Sequence, residues 1–323
     1  MGLGFGYRVE QYSASWEQLV STAQLAEQLG FDGIWLNDHF VPDPISGRYE
    51  ADTFEAWTAA GALAALTSRV RIGFMTLCNG YRPPSIAAKM ATALDVISGG
   101  RIDVGIGAGW HEDEFRMYGF PYPPGSVRLS QLEEGLQILI GMFDSEQFSF
   151  TGEHYTVDGA WNNPRPVQKP RPPIWIGGGG EKRTLKIVAR YADWHNLVLT
   201  PLEDFKRKMA ILDEHCAGFD RDPATLGRSI NPSLLLRDTD EEFDNYAAGR
   251  AQQRGISVTE YLGLLESQGT VFGGPDRASE MIASFRDAGC SYMEFIIREA
   301  DQAQALHRFA ELVMPRFTDG TGR

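Results

Sequence analysis

Two short runs in this 323-residue chain carry residue types that can do chemistry. The first is Asn37-Asp38-His39, a polar trio leaving the apolar run Ile34-Trp35-Leu36. Histidine is the side chain whose unperturbed pKa lies nearest neutral, so Asp38 and His39 facing a bound ring would be suited to handling protons. The competing reading is a helix cap beside a hydrogen-bonded core histidine. The second run is Ile174-Trp175-Ile176-Gly177-Gly178-Gly179-Gly180-Glu181-Lys182-Arg183-Thr184, an apolar strand, four glycines and a helix start bearing two cations. Exposed N–H groups, the helix dipole and flexible glycines make a phosphate cradle. Lys182 and Arg183 oppose the macrodipole there, and a nearby anion would account for them. The run is not a P-loop, since Glu181 rather than glycine precedes Lys182. Its competing reading is a flexible turn.

Three further segments are weaker. Thr76-Leu77-Cys78-Asn79-Gly80-Tyr81-Arg82-Pro83-Pro84 is dense in turn formers and reads either as a sharp functional turn or as loop punctuation. Nothing sets a base beside Cys78, so a buried, inert thiol suits it better than a nucleophile. Gly105-Ile106-Gly107-Ala108-Gly109-Trp110 lets a ligand approach the backbone but places Trp110 where a dinucleotide fingerprint needs glycine. His111-Glu112-Asp113-Glu114-Phe115 is not a zinc helix, because Phe115 occupies the second histidine position, and its acids read as a solvated helix start. In Trp194-His195-Asn196, alternation allows only one of Trp194 and His195 to point inward.

These segments need strand ends to hold them, and the chain supplies strands at regular intervals. Strands are expected over Gly2–Tyr7, Phe31–Leu36, Val70–Thr76, Arg101–Gly107, Ile174–Ile176, Trp194–Val198, Ser229–Leu236 and Tyr292–Ile297, with helices between them such as Ser15–Leu29, Thr53–Leu66, Ser85–Ile97 and Lys182–Tyr191. Strands alternating with helices build a parallel sheet, and eight such units suit a closed (β/α)8 barrel (the TIM barrel of the α/β class) better than an open doubly wound sheet. Residues 1–323 read as a single domain with insertions at about 142–173 and 241–268, the first containing a hairpin around Thr151-Gly152-Glu153. In such barrels the site is built from loops after the strands, where all of these candidates fall.

Composition narrows the partners. A net charge of −13 repels phosphate backbones and anionic lipid, which disfavours nucleic acid and membrane surfaces and leaves a small-molecule substrate. Cys78, Cys216 and Cys290 form no CxxC pair and no metal-ligand spacing, so neither a disulfide framework nor a metal is expected; a reducing, cytoplasmic setting fits.

Taken together, the segments resemble the bacterial-luciferase-like flavin family and, within it, the coenzyme F420-dependent oxidoreductases. The resemblance covers nearly the whole chain. It rests on Ala26–Asp38 with Leu29-Gly30-Phe31-Asp32-Gly33-Ile34-Trp35, on Tyr81–Trp110 with Ser98-Gly99-Gly100-Arg101, and on Pro172–Asn196, in that order. It implies a luciferase-like (β/α)8 barrel, usually a homodimer or larger, binding coenzyme F420 or alternatively FMN. Asp38 and His39 would lie beside the ring, and the Thr76-Leu77-Cys78 turn would support it with a bulge and a non-proline cis peptide. Gly107, Ala108, Gly109 and Trp110 would line the ribityl chain. Gly177, Gly178, Gly179, Gly180, Glu181, Lys182 and Arg183 would hold the phosphate.

The expected reaction is hydride transfer between the deazaflavin C5 and a small organic substrate, with His39 and Asp38 as catalytic groups. The rivals are an FMN-dependent monooxygenase and a non-catalytic flavin-binding protein. Where relatives have Ala-Trp-Asn this chain has Trp194-His195-Asn196, which would bring a histidine to the pocket and alter substrate preference.

Overall fold

A computed structural model describes residues 2–42, 49–299 and 301–317. Within them eight parallel strands close into a barrel: β1 (Gly4–Arg8), β2 (Gly33–Leu36), β3 (Arg71–Phe74), β4 (Ile102–Gly107), β5 (Ile174–Gly177), β6 (Trp194–Val198), β7 (Gly227–Asn231) and β8 (Tyr292–Ile297). Closure comes from β1 running beside β8, with Gly4 opposite Tyr292 and Tyr7 opposite Phe295. The strands fall where the alternation of apolar runs and amphipathic helices places them, and helix ends follow local signals. Helix Trp16–Gln28, for example, opens on a capping box between Ser15 and Gln18.

Two strands are interrupted at the mouth of the barrel. After β3 the chain passes a cis peptide between Met75 and Thr76. It then pairs again with β4 through Leu77 opposite Ile106 and Cys78 opposite Gly107. After β7, Pro232 has no N–H to give, and pairing resumes over Ser233–Leu236 with β8 and a short strand, Val271–Gly273.

Below the mouth the barrel is filled by an aromatic layer. Trp35, Trp175, Trp194 and Tyr292 cluster with Met75. The Trp175 and Trp194 rings stack 4.4 Å apart, and Trp35 Nε1 donates to the Tyr292 hydroxyl at 3.0 Å. Glycines make this possible: a Cβ at Gly73 would sit 2.2 Å from the Trp35 ring, and one at Gly227 would sit 2.2 Å from the Trp194 ring. The outward strand faces pack on the helices in one cluster of buried residues running from Leu3 to Phe317.

Two stretches stand apart from the strand–helix alternation. The first holds the hairpin, Gln147–Thr151 paired with Thr156–Trp161. The second holds helices Asp240–Arg254 and Val258–Ser267, with a small core of their own around Phe243, Tyr261 and Phe272. The helix Gly125–Asp144, for which the sequence reading gave no element, precedes the hairpin. Among the described residues no helix is long and apolar enough to cross a membrane.

Candidate active site

The strand C-termini surround a cleft of about 1270 Å³, larger than the roughly 300–1,000 Å³ of ordinary small-ligand sites. A cleft of that size has room for two ligands side by side. Asn37, Asp38 and His39 line it after β2, Thr76 and Cys78 after β3, Gly107 to His111 after β4, and Gly177 and Gly178 after β5. Asn196, Asn231 and Ile296 complete it from β6, β7 and β8.

His39 is held by a partner that sequence reasoning missed. Its Nδ1 lies 2.6 Å from Glu114 Oε2. Glu114 Oε1 accepts from the N–H groups of Phe40 at 2.7 Å and Val41 at 3.2 Å, and Oε2 accepts from the Tyr81 hydroxyl at 3.0 Å. Burial pushes this carboxyl up, but the bonds from His39, Phe40 and Tyr81 outweigh it and hold Glu114 below the usual range, so it is a carboxylate. A carboxylate on Nδ1 fixes the hydrogen there and leaves Nε2 for a ligand in the cleft. The expectation that Glu112, Asp113 and Glu114 form a solvated helix start therefore fails at Glu114. The helix Glu112–Met117 is a turn and a half long and buries Glu114 and Phe115 together.

Asp38 lines the cleft, but its oxygens are already committed. Oδ2 accepts from Cys78 N–H at 2.8 Å and Arg82 Nη1 at 2.7 Å, and Oδ1 accepts from Arg82 Nη2 at 2.9 Å. Burial raises its pKa while Arg82 and the Cys78 N–H oppose that. Arg82 also reaches Glu55 at 2.8 Å. This corrects the proton-handling role expected of Asp38: the carboxylate fixes the turn that follows β3. Leu77 in that turn is buried in the core and does not line the cleft. Cys78 does line it, with burial pushing its thiol up to about 12, in keeping with an inert side chain.

The glycines of β4 and β5 crowd the same turn. A Cβ at Gly107 would lie 2.9 Å from Thr76 Oγ1, one at Gly177 would lie 2.6 Å from Thr76 Cγ2, and one at Gly105 only 1.7 Å from the Phe74 carbonyl oxygen. Beyond Gly177 the cleft is lined by Gly178 and by Thr184, the first residue of a helix that has no side-chain cap. The Leu185 N–H is given to the Gly180 carbonyl at 3.0 Å, which leaves the Thr184 N–H at the helix start for a ligand such as a phosphate.

The rest of the run lies outside the lining. The Gly179 carbonyl accepts from Lys208 Nζ at 2.6 Å, Glu181 pairs with Arg207, and Arg183 reaches the Ser126 carbonyl at 2.8 Å and Ser130 Oγ at 3.1 Å. Gly180 and Lys182 do not line the cleft either. The helix begins at Thr184 rather than Lys182, so the two cations precede it and do not oppose its dipole from within the first turn.

A family model, luciferase-like monooxygenase, matches residues 4–312. The chain belongs to the luciferase-like monooxygenase family. It is 26% identical over 337 residues to an F420-dependent glucose-6-phosphate dehydrogenase of Amycolatopsis mediterranei, covering 97% of this chain and 98% of the relative. An FMNH(2)-dependent dimethylsulfone monooxygenase of Pseudomonas putida is 30% identical over 221 residues, 68% of this chain and 58% of that one. Among solved structures, an F420-dependent secondary alcohol dehydrogenase with an F420-acetone adduct superposes with a TM-score of 0.80. It covers 99% of this chain and 100% of that one at 20% identity.

In this luciferase-like barrel His195 does not face the pocket, contrary to expectation. Trp194 takes the inward position, in the aromatic layer, and His195 points outward, fully buried. Its Nε2 donates to the Gly178 carbonyl at 2.9 Å while Nδ1 has no partner among the described residues, and burial lowers its pKa to about 4, so it is neutral. Its tie to the cleft is through the backbone of Gly178. Tyr12, Tyr81 and Trp110 line the cleft; Trp110 is 55% exposed, with its ring 5.8 Å from that of His39.

Proposed function

We propose that this luciferase-like enzyme is an F420-dependent oxidoreductase acting on a small organic substrate, with His39 as the group that gives or takes the proton. The observation that carries the reading is the His39–Glu114 pair at the mouth of a cleft with room for two ligands. The preference for F420 over FMN is supported by the relative of that specificity, matched over nearly the full length of both chains.

Bound in the cleft, the deazaflavin would supply or accept a hydride at C5. The chain's own residues do the rest. Thr76 and Cys78 would support the ring, Gly107 to Trp110 would follow the chain that leads from it, Gly177 and Gly178 would let the phosphate come close to the backbone, and Thr184 would offer it an N–H group. His39 Nε2 would hold the proton that a carbonyl gains as it becomes an alcohol, or take it in the reverse direction, while Glu114 steadies the imidazolium. Homodimerisation belongs to the same proposal and is checked by sedimentation.

Calorimetric titration with F420 and FMN under matched conditions tests the cofactor. Micromolar or tighter F420 binding with weak FMN binding is expected, along with turnover under nitrogen. Preference for FMN and a requirement for oxygen would establish the monooxygenase reading, which the Pseudomonas putida relative supports.

A further inference from the structure

Where β5 and β6 run side by side, the outward layer holds Ile174, Ile176 and Leu197, all buried in the main core. His195 stands among them, opposite Ile176 and fully buried. A neutral imidazole carries one N–H. Nε2 gives it to the Gly178 carbonyl at 2.9 Å, and Nδ1 is left as a buried acceptor with no partner among the described residues. Burying a polar atom unpaired costs stability that a leucine or isoleucine here would not lose. Packing alone therefore does not account for a histidine at this position. The bond that Nε2 makes does.

That bond acts on a stretch of chain with little else to hold it. From Gly177 to Gly180 there is no Cβ to restrict the backbone, and Gly178 sits at a φ of +119°, a conformation open to glycine. Hydrogen bonds set the path instead. The Gly178 N–H is given to the Asn196 carbonyl at 3.2 Å, the Gly178 carbonyl takes the hydrogen of His195, and the Gly179 carbonyl takes one from Lys208 Nζ at 2.6 Å. Lys208 belongs to helix Leu202–Ala217, outside the barrel. A Cβ on Gly179 would meet Leu197 Cδ2 and Lys208 Nζ, each at 3.1 Å, which marks that side as the outer one. Both carbonyls are drawn towards it, away from the cleft that Gly177 and Gly178 line.

We propose that His195 is a positioning residue for the phosphate end of the site: it holds the Gly178 carbonyl out of the cleft, so that no carbonyl oxygen of the glycine run faces the anion. The role rests on the proposed function, which puts the cofactor's phosphate beside Gly177 and Gly178. A planar trans peptide carries its N–H opposite its C=O, so the same bond turns the Gly179 N–H away from His195 and towards the cleft side. Successive N–H groups turned to one side are what an anion needs, and a carbonyl among them repels it. Without the imidazole, the Gly178–Gly179 peptide meets no Cβ that would stop it from rotating.

Calorimetry with two ligands that differ only by the phosphate, the free riboflavin-type deazaflavin and its monophosphate ester, tests the role in the full-length protein, in His195→Leu and in His195→Gln. The parent should bind the ester at least about tenfold tighter than the free deazaflavin. His195→Leu should erase most of that advantage and leave the free deazaflavin within about threefold, while His195→Gln, whose side-chain N–H reaches the same carbonyl, should keep it. A purely structural role would weaken both ligands together. Should His195→Leu fail to fold, the parent labelled at its glycines tests the consequence by NMR: the ester, and not the free deazaflavin, should shift the Gly179 amide. An ester advantage undiminished in His195→Leu, an equal loss of both ligands, or a Gly179 amide that answers both alike would each overturn the role. Failure of the parent to bind either ligand would sink the cofactor reading and this role with it, whereas an ester advantage that survives His195→Leu sinks the role alone.

Discussion

The imidazole of His39 and the carboxylate of Glu114, 75 positions apart in sequence, meet at 2.6 Å on the wall of the cleft. Because the same carboxylate accepts the N–H groups of Phe40 and Val41, it holds both the ring of His39 and the chain that follows it.

Glu114→Gln should therefore separate two effects. The amide can still accept from Phe40, but it offers His39 no negative charge and no assured acceptor for Nδ1–H. Turnover should fall by about tenfold or more with a displaced pH profile, while F420 affinity stays within about tenfold, as expected when an orienting carboxylate is lost. His39→Ala should lower kcat at least as far. An unchanged pH profile in Glu114→Gln would reduce Glu114 to a loop anchor.

Asp38→Asn addresses the turn. It removes the charge opposite Arg82, whose side chain is only 15% exposed, and leaves Glu55 as its partner. Breaking a buried pair from one side costs about 3–5 kcal/mol, so the urea midpoint should drop sharply. F420 affinity should drop with it, since the single amide oxygen cannot serve both the Cys78 N–H and the two Arg82 nitrogens that the carboxylate holds. A variant as stable as the parent would return Asp38 to the catalytic candidates.

The same two carboxylates mark the limits of what was legible in the sequence. The strands, most helices and the hairpin were readable because each repeats a period of two or 3.6 over enough residues to register. Glu114 was not, because a six-residue helix is too short for a period and an acidic triplet at a helix start has a satisfactory solvated reading. Alternation required Trp194 and His195 to face opposite ways, but the choice between them depends on glycines of neighbouring strands. Gly227 leaves the room that the Trp194 ring fills, a fact of register rather than of local sequence. Lys182 and Arg183 misled for a simpler reason: the helix starts two residues later than its composition suggests.

Gly105→Ala tests how closely β3 and β4 approach under the site. The new Cβ would lie 1.7 Å from the Phe74 carbonyl oxygen, a backbone atom that cannot rotate away. Overpacking of this kind costs about 1–3 kcal/mol or more, and the displaced strand carries the Met75–Thr76 turn. Lower thermal stability and weakened cofactor binding are expected together. Loss of neither would mean that the strands part without disturbing the cleft.

Glu27 offers a pH test away from the site. Its Oε2 accepts from the N–H groups of Ser68 at 2.8 Å, Arg69 at 2.7 Å and Val70 at 3.0 Å, tying helix Trp16–Gln28 to the start of β3. Partial burial works to raise its pKa, but these bonds prevail and lower it to about 2. The folded value is thus below the unfolded one, near 4.5. Stability from the carboxylate is fully present above the unfolded value and is lost as pH falls towards 2. Glu27→Gln should unfold at lower urea than the parent at pH 7, and the gap should narrow steadily between about pH 4.5 and pH 3. A gap constant down to pH 3 would mean that the charge of Glu27 adds nothing to these three bonds.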